Sequence, residues 1–244
     1  MLQFYYLFDL SIAQPEFASY VCAGDGSNNI EFSPNSAYDT NLNTILSSVS
    51  QNMDSFGFYN SSTGQKSDAV SVIAQCRGDV QLQACRDCMT NATRKILEVC
   101  PYKKSAIGFY DRCMVRYSNQ SIIGIVSTQP RRILYNTANA SSTGEFMQDL
   151  RNLLESLQSQ ASRDDLSAQD CFNCLSAGYS SLPTCECYGK RGLRYMMPSC
   201  KFQYESSPFF DELPPDAPPP LSPPLPPPPS GKQNLYGIVS HFNS

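Results

Sequence analysis

Residues 76–113 read CRGDVQLQACRDCMTNATRKILEVCPYKKSAIGFYDRC, and much of this stretch returns, altered, near the C-terminus. Cys76 and Cys85 enclose eight residues, Cys85 and Cys88 enclose two, and Cys100 and Cys113 follow at intervals of 12 and 13. A second CxxC stands at Cys171 and Cys174, trailed by Cys185, Cys187 and Cys200. Cys85, Cys88 and Cys113 thus recur at Cys171, Cys174 and Cys200 with offsets of 86, 86 and 87, the period of one small domain. The fold has to be read from a duplicated cysteine framework.

A chain of 244 residues with 41% hydrophobic content can fill one or two modest cores, and the repeat favours two. Eighteen Lys and Arg are outnumbered by 22 acids, giving a net charge of −4, which argues against a nucleic-acid partner. Eleven cysteines accompany a single histidine. The two CxxC pairs lie too far apart for a zinc knuckle and have no histidine near them, so the cysteines read as disulfides of an oxidising compartment and no metal is expected. Four Asn-x-Ser/Thr triplets, at Asn60, Asn91, Asn119 and Asn139, agree with that compartment as glycosylation acceptors.

The first 13 residues, MLQFYYLFDLSIA, are apolar and end on small residues, and are expected to be a truncated secretory signal despite lacking a basic start. Domain one should then fill 14–127 and an incomplete domain two 130–210, followed by a linker and tail at 211–244. Glu16 to Cys22 alternates as a strand. Asn35, Ser36 and Asp39 offer capping oxygens to a helix over 37–54 that buries Leu42, Ile45, Leu46 and Val49. Gly64 marks a hairpin and Val70 to Cys76 a strand. A second helix begins at Cys85 and stops at Pro101. Runs at Ala106 to Tyr117 and Ile122 to Val126 would complete an antiparallel sheet. Eleven prolines between Leu213 and Pro229 predict a solvated polyproline II spacer. No stretch approaches the length needed to span a bilayer.

The C-x8-C-x2-C pattern, the phrase NLNTILSSVSQN, the GFYNSS turn and the ending YDRCMVRYSN closely resemble the first extracellular domain of plant cysteine-rich receptor-like kinases. The same domain occurs in cysteine-rich repeat secretory proteins and in the ginkbilobin, or stress-antifungal, family. DLSAQDCFNCL and YGKRGLRYMMPSCKFQYESSPFF resemble its second copy. The resemblance implies α+β domains, each with two helices on an antiparallel sheet, and three disulfides in domain one: Cys22–Cys100, Cys76–Cys85 and Cys88–Cys113. It also implies a receptor ectodomain cut off before its anchor, located in the apoplast or on the outer face of the plasma membrane.

Copy two departs from the pattern. Its first helix is offset by about 105 residues but its CxxC by 86, so about 19 residues are missing, and they correspond to GFYNSSTGQKSDAVSVIAQC of copy one. Ser162 falls where the first cysteine of C-x8-C would stand. The resemblance carries over Cys174–Cys200. Cys171, Cys185 and Cys187 are then candidates for a thiol left unpaired within the chain.

His241 is the only histidine and lies in the tail, so neither a Ser-His-Asp nor a Cys-His arrangement has a general base, and no phosphate loop follows a strand. No enzyme and no cofactor are expected. Asp164 and Asp165 read as charges and a cap at a helix start. The mannose-binding ginkbilobin member implies a site of Asn, Arg and Glu. Copy one has Ala23, Ile107 and Ser118 at these positions, whereas copy two has Arg194 and Glu205 with Asn136 as the candidate third partner. Charged partners give sugar hydroxyls strong hydrogen bonds, yet the favoured expectation is that Arg194 and Glu205 form a cross-strand ion pair. The function expected is that of a non-catalytic secreted or cell-surface module that binds an extracellular protein partner or glycan in stress or defence signalling; the alternative is a secreted antifungal lectin that binds mannose.

Overall fold

The computed structural model describes residues 17–23, 31–161, 163–210 and 235–239. The expected leader, Ser162, the proline run and His241 lie outside them.

Domain one is a five-stranded antiparallel sheet of β1 (Phe17–Cys22), β2 (Phe58–Thr63), β3 (Val70–Cys76), β4 (Ser105–Tyr110) and β5 (Cys113–Ser118), in the order β1-β4-β5-β3-β2. Two helices, α1 (Ala37–Ser48) and α2 (Leu82–Val99), cover one face. Strand alternation sorts the side chains. Val70, Val72 and Ala74 of β3 and Val115 and Tyr117 of β5 meet Leu42, Leu46, Met89 and Ile96 of the helices.

α1 starts as its sequence dictates, whereas α2, expected to begin at Cys85, starts earlier at Leu82, where Gln81 makes no side-chain cap. The Ser36 hydroxyl accepts a hydrogen bond from the Asp39 amide, which satisfies one of the amides left without a partner in the first turn. The expected helix over 37–54 ends early, at Ser48. The Asn52 side chain donates to the Ser48 carbonyl and the Asp54 carboxylate accepts from the Phe56 and Phe58 amides, so the chain has turned before 54. The single run expected from Ala106 to Tyr117 is a hairpin, β4 and β5, turning at Asp111-Arg112.

Domain two repeats this plan with β6 (Arg132–Tyr135), α3 (Thr143–Gln158), α4 (Ala168–Tyr179), β7 (Leu193–Met196) and β8 (Lys201–Glu205). Its sheet runs β6-β7-β8-β9, where β9 is Tyr236–Val239, beyond the proline run. β6, β7 and β8 stand where β1, β4 and β5 stand in domain one. β9 therefore takes the place of β3, the strand within the missing stretch, and pairs antiparallel to β8 with Tyr236 opposite Glu205 and Val239 opposite Phe202.

The domains pack sheet against sheet. Phe58, Ile73, Ile107, Phe109 and Met114, on the face of sheet one away from its helices, form one buried cluster with Ile122 and Met196. Both faces of β3 are thereby covered, so all seven of its residues are buried, including the polar Ser71 and Gln75 on the face away from the helices. Ile122 to Val126, expected as a strand, is not one: Ile122 fills this cluster, and the chain beyond it docks on domain two, with the Gly124 amide donating to the Asp165 carboxylate and the Ser127 amide to the Ser199 hydroxyl. Asp164 and Asp165 likewise do not cap a helix. Asp165 is paired with buried Arg163, whose guanidinium also donates to the Pro198 and Ser199 carbonyls, while Ser167 and Asp170 form the capping box of α4.

In domain one the structure bonds Cys22 to Cys100, Cys76 to Cys85 and Cys88 to Cys113, and in domain two Cys174 to Cys200. Cys185 and Cys187, open as candidates for the unpaired thiol, are bonded to each other. The free thiol among the described residues is Cys171, buried in the core of domain two, where burial pushes its pKa up. By sheet register Tyr135 stands where Cys22 stands in domain one, so Cys187, the counterpart of Cys100, has no partner there. The Tyr135 hydroxyl instead donates to Glu186, between the two bonded cysteines.

The crosslinks should differ in weight with the loop each closes. Chain entropy gives about 4.5 kcal/mol for Cys22–Cys100, with its separation of 78, and about 2.7 for Cys76–Cys85, with its separation of 9. Urea unfolding of the two double Cys→Ala variants should therefore rank Cys22/Cys100 as the costlier pair; equal midpoints would contradict an entropic origin.

Candidate functional site

The three candidate glycan contacts come from three neighbouring strands of domain two. Asn136 follows β6, Arg194 lies in β7 and Glu205 ends β8. The Asn136 amide N–H donates to the Gly192 carbonyl at 3.0 Å, as the Ala23 N–H donates to Ser105 in domain one at 2.8 Å. The same register that puts Ala23 beside β4 thus puts Asn136 beside β7.

Alternation then sends Leu193, Tyr195, Phe202 and Tyr204 into the domain-two core. Arg194, Lys201, Gln203 and Glu205 are left on the other face. The Asn136 side-chain amide donates to Glu205 Oε2 at 3.2 Å. Gly192 makes this contact possible by close approach, since a Cβ there would lie 1.8 Å from Glu205 Oε2. Nothing in the sequence singled out Gly192, although a glycine at the first position before a strand is a signal of close backbone approach.

The expected cross-strand ion pair takes another form. Arg194 forms an ion pair with Asp111, in the β4–β5 turn of domain one, at 3.1 Å but without hydrogen-bond alignment at that oxygen. The Arg194 charge still acts on Glu205 and lowers its pKa, as does the Asn136 hydrogen bond, but burial outweighs both and leaves the carboxyl above the ordinary glutamate range.

Asp111 also faces Arg77 at 3.4 Å. Arg77 is held by Asp79 at 2.6 Å and donates to the Phe209 carbonyl, whose ring it also covers. Lys201 Nζ donates to the carbonyls of Asp111 and Tyr110 at 2.8 and 3.4 Å. Burial at this seam pushes the Lys201 pKa down to about 8, with the Asp111 charge opposing the shift and Arg77 and Arg194 adding to it. The site is therefore the rim of a charged seam between the two domains, and Asp111 is a member that the sequence did not suggest.

In domain one the corresponding Ile107 and Ser118 are buried, and Ile107 belongs to the apolar cluster between the sheets. That surface is consumed by domain packing. A separate hollow of about 490 Å³ between α3 and α4, lined by Met147, Leu154, Tyr179 and Leu182, contains none of the three candidates. Of the acceptor asparagines, Asn60 and Asn139 are exposed, and Asn91 and Asn119 are half-buried. Among the described residues no cluster of His, Cys, Asp and Glu could hold a metal ion, and no helix is long and apolar enough to cross a membrane.

Residues 21–120 match the family model described as salt stress response/antifungal. The antimicrobial ginkbilobin-2-like protein of Castanea crenata is 34% identical over 205 residues, covering 74% of this chain and 85% of that protein. The chain belongs to the salt stress response/antifungal family. Cysteine-rich repeat secretory protein 38 of Arabidopsis thaliana is likewise 34% identical, over 73% of this chain and 81% of its own. Cysteine-rich receptor-like protein kinase 26 of Arabidopsis thaliana is 32% identical over 84% of this chain, which spans only 35% of that kinase. In fold the chain is similar to the tandem DUF26 ectodomain of the Arabidopsis thaliana cysteine-rich receptor-like protein PDLP8, with a TM-score of 0.68 at 24% identity over 76% of this chain and 96% of that one.

The raised pKa of Glu205 separates a structural from a ligand-binding role. A carboxyl whose folded pKa lies above its unfolded one costs stability when ionised; the cost is present above the folded pKa and disappears as the pH falls below the unfolded one. Glu205→Gln should therefore melt at or above the wild-type temperature at pH 7, with the gap closing through the ordinary glutamate range. A lower melting temperature at pH 7 would make Glu205 a structural ion-pair partner instead.

Proposed function

We propose that the chain is a non-catalytic extracellular recognition module, related to the ectodomains of cysteine-rich receptor-like kinases and acting through an extracellular protein partner in stress or defence signalling. The observation that carries this is the tandem architecture: relatives that are receptor kinases match over 84% of this chain but only about a third of their own length, and the fold is that of a receptor-like ectodomain. The disulfide framework supports an oxidising location. Expressed in plant tissue with its own N-terminus, the chain should be recovered oxidised from apoplastic fluid, and glycosidase should reduce its mass through exposed Asn60. Recovery in the cytosol with reduced cysteines would overturn the reading.

A second reading, a secreted lectin for mannose-type glycans, is favoured by one observation, the convergence of Asn136, Arg194 and Glu205 on adjacent strands. An amide, a guanidinium and a carboxylate side by side offer paired donors and acceptors to vicinal hydroxyls. Its cost is that Arg194 must share its charge with Asp111. On a glycan array, retention of mannose-type glycans by the wild-type chain, lost in Glu205→Ala and Asn136→Ala while both stay folded, would carry the lectin reading. Absence of signal from the wild-type chain, with domain-one disulfides intact by mass, would leave the protein-partner reading standing alone.

A further inference from the structure

We propose that the edge of β8 is a strand-receiving site that takes the Tyr236–Val239 segment of a second copy of this chain, giving a dimer by reciprocal strand exchange. Three observations carry it.

The first is the vacancy that the sequence creates. β5 of domain one is flanked by β4 and β3, whereas the counterpart of β3 is missing from copy two, so the N–H and C=O groups on the outer edge of β8 have no partner from within the domain. An unpaired edge is a template for any extended segment of suitable shape.

The second is the fit of the occupant. All of Tyr236–Val239 pairs with β8, from Glu205 to Phe202. Gly237 lies beneath α3, where a Cβ would stand 2.8 Å from Leu153 Cδ2 and 3.0 Å from Leu157 Cδ1. Leu235 packs on the domain-two core and the Tyr236 ring meets Phe210 with centroids 6.3 Å apart. The seat is shaped for a residue without a side chain at 237, preceded by the apolar Leu235 and the aromatic Tyr236.

The third is the tether. The 24 residues between Phe210 and Leu235 contain eleven prolines. At roughly 3.1 Å per residue such a segment reaches about 75 Å when extended. Seating its own strand brings its two ends to the 6.3 Å contact of Phe210 and Tyr236. A chain biased to extension by proline loses effective concentration when its ends must meet, compared with a flexible linker. Between two copies the same strand contacts form without that closure, so exchange gains what closure costs and loses only the entropy of association. The balance then shifts with protein concentration.

The register supplies the test, since Gln203 stands opposite Ile238. Gln203→Cys and Ile238→Cys are placed in separate full-length chains, each carrying Cys171→Ser so that the new thiol stands alone. After co-incubation at high concentration and mild oxidation, a disulfide-linked heterodimer is expected. Neither chain alone should form it. A single chain carrying both substitutions should crosslink within itself when dilute and between chains when concentrated. Adding Gly237→Val to the Ile238→Cys chain should lower the heterodimer yield about tenfold, because the new side chain collides with Leu153 and Leu157. Crosslinking of the doubly substituted chain only within itself at every concentration, with no heterodimer from the mixture, would overturn exchange. No crosslink in that chain at all, with the domain-one disulfides formed, would overturn the seat itself.

Discussion

A disulfide from the second helix to the strand at the centre of the sheet is the covalent tie that both domains keep. Cys88–Cys113 joins α2 to β5 across 25 positions, and Cys174–Cys200 joins α4 to β8 across 26. Each fixes a helix over the strand whose inward side chains fill the core. Around that tie domain one adds two further crosslinks, whereas domain two has lost the partners for both. The losses are physically distinct: Tyr135 replaces the counterpart of Cys22, and the strand bearing the counterpart of Cys76 is missing altogether.

Apart from the short Cys185–Cys187 bridge, what domain two gains in exchange is non-covalent. A hydroxyl–carboxylate contact from Tyr135 to Glu186 stands near where a disulfide would close. The Arg163–Asp165 pair, with the Pro198 and Ser199 carbonyls, anchors the start of α4 and the interdomain linker together. These contacts are worth less than crosslinks, because each hydrogen bond exchanges with water at a net gain near 1 kcal/mol. Domain two therefore leans on domain one through Met196 in the apolar cluster and through Lys201 and Arg194 on the Asp111 turn. A polar face that would be costly to bury alone is tolerated there because the partner turn supplies a carboxylate and two carbonyls.

Much of this was legible in the sequence. Cysteine spacing gives the repeat, apolar periodicity the helices, and the differing offsets of helix and CxxC the length of the deletion, while the resemblance to the mannose-binding ginkbilobin member singles out Arg194 and Glu205, with Asn136 as the candidate third partner. Other parts were hidden for reasons that lie in the physics of the signals. In β3 the polar Ser71 and Gln75 alternate with Val70, Val72 and Ala74 as on a strand with one solvated face, so the packing of sheet on sheet could not be inferred from it. Asp111 looks like any acidic turn residue, and its importance comes from two arginines that reach it from distant segments. Asp165 looks like a helix cap because local sequence carries no trace of Arg163 being buried beside it. The strand at Tyr236–Val239 is four residues long and stands behind a proline tract, where neither alternation nor length distinguishes a strand from a tail.

The position of that strand follows from edge chemistry more than from its own propensity. A sheet that ends at β8 would leave the backbone groups of Gln203 and Glu205 without a strand partner, next to a core that Phe202 and Tyr204 line, and water cannot satisfy such groups as well as a neighbouring strand when the flank is apolar. Leu235 and Gly237 resolve this together: the first adds apolar contact to the core, and the second lets the backbone lie close under Leu153 and Leu157. A bulkier residue at 237 would hold the strand away from α3 and stretch its ladder to β8. The deletion that removed β3 thus converts an internal pairing into one with a segment some 30 residues downstream, and it makes the completeness of domain two depend on a tether rather than on a tight turn.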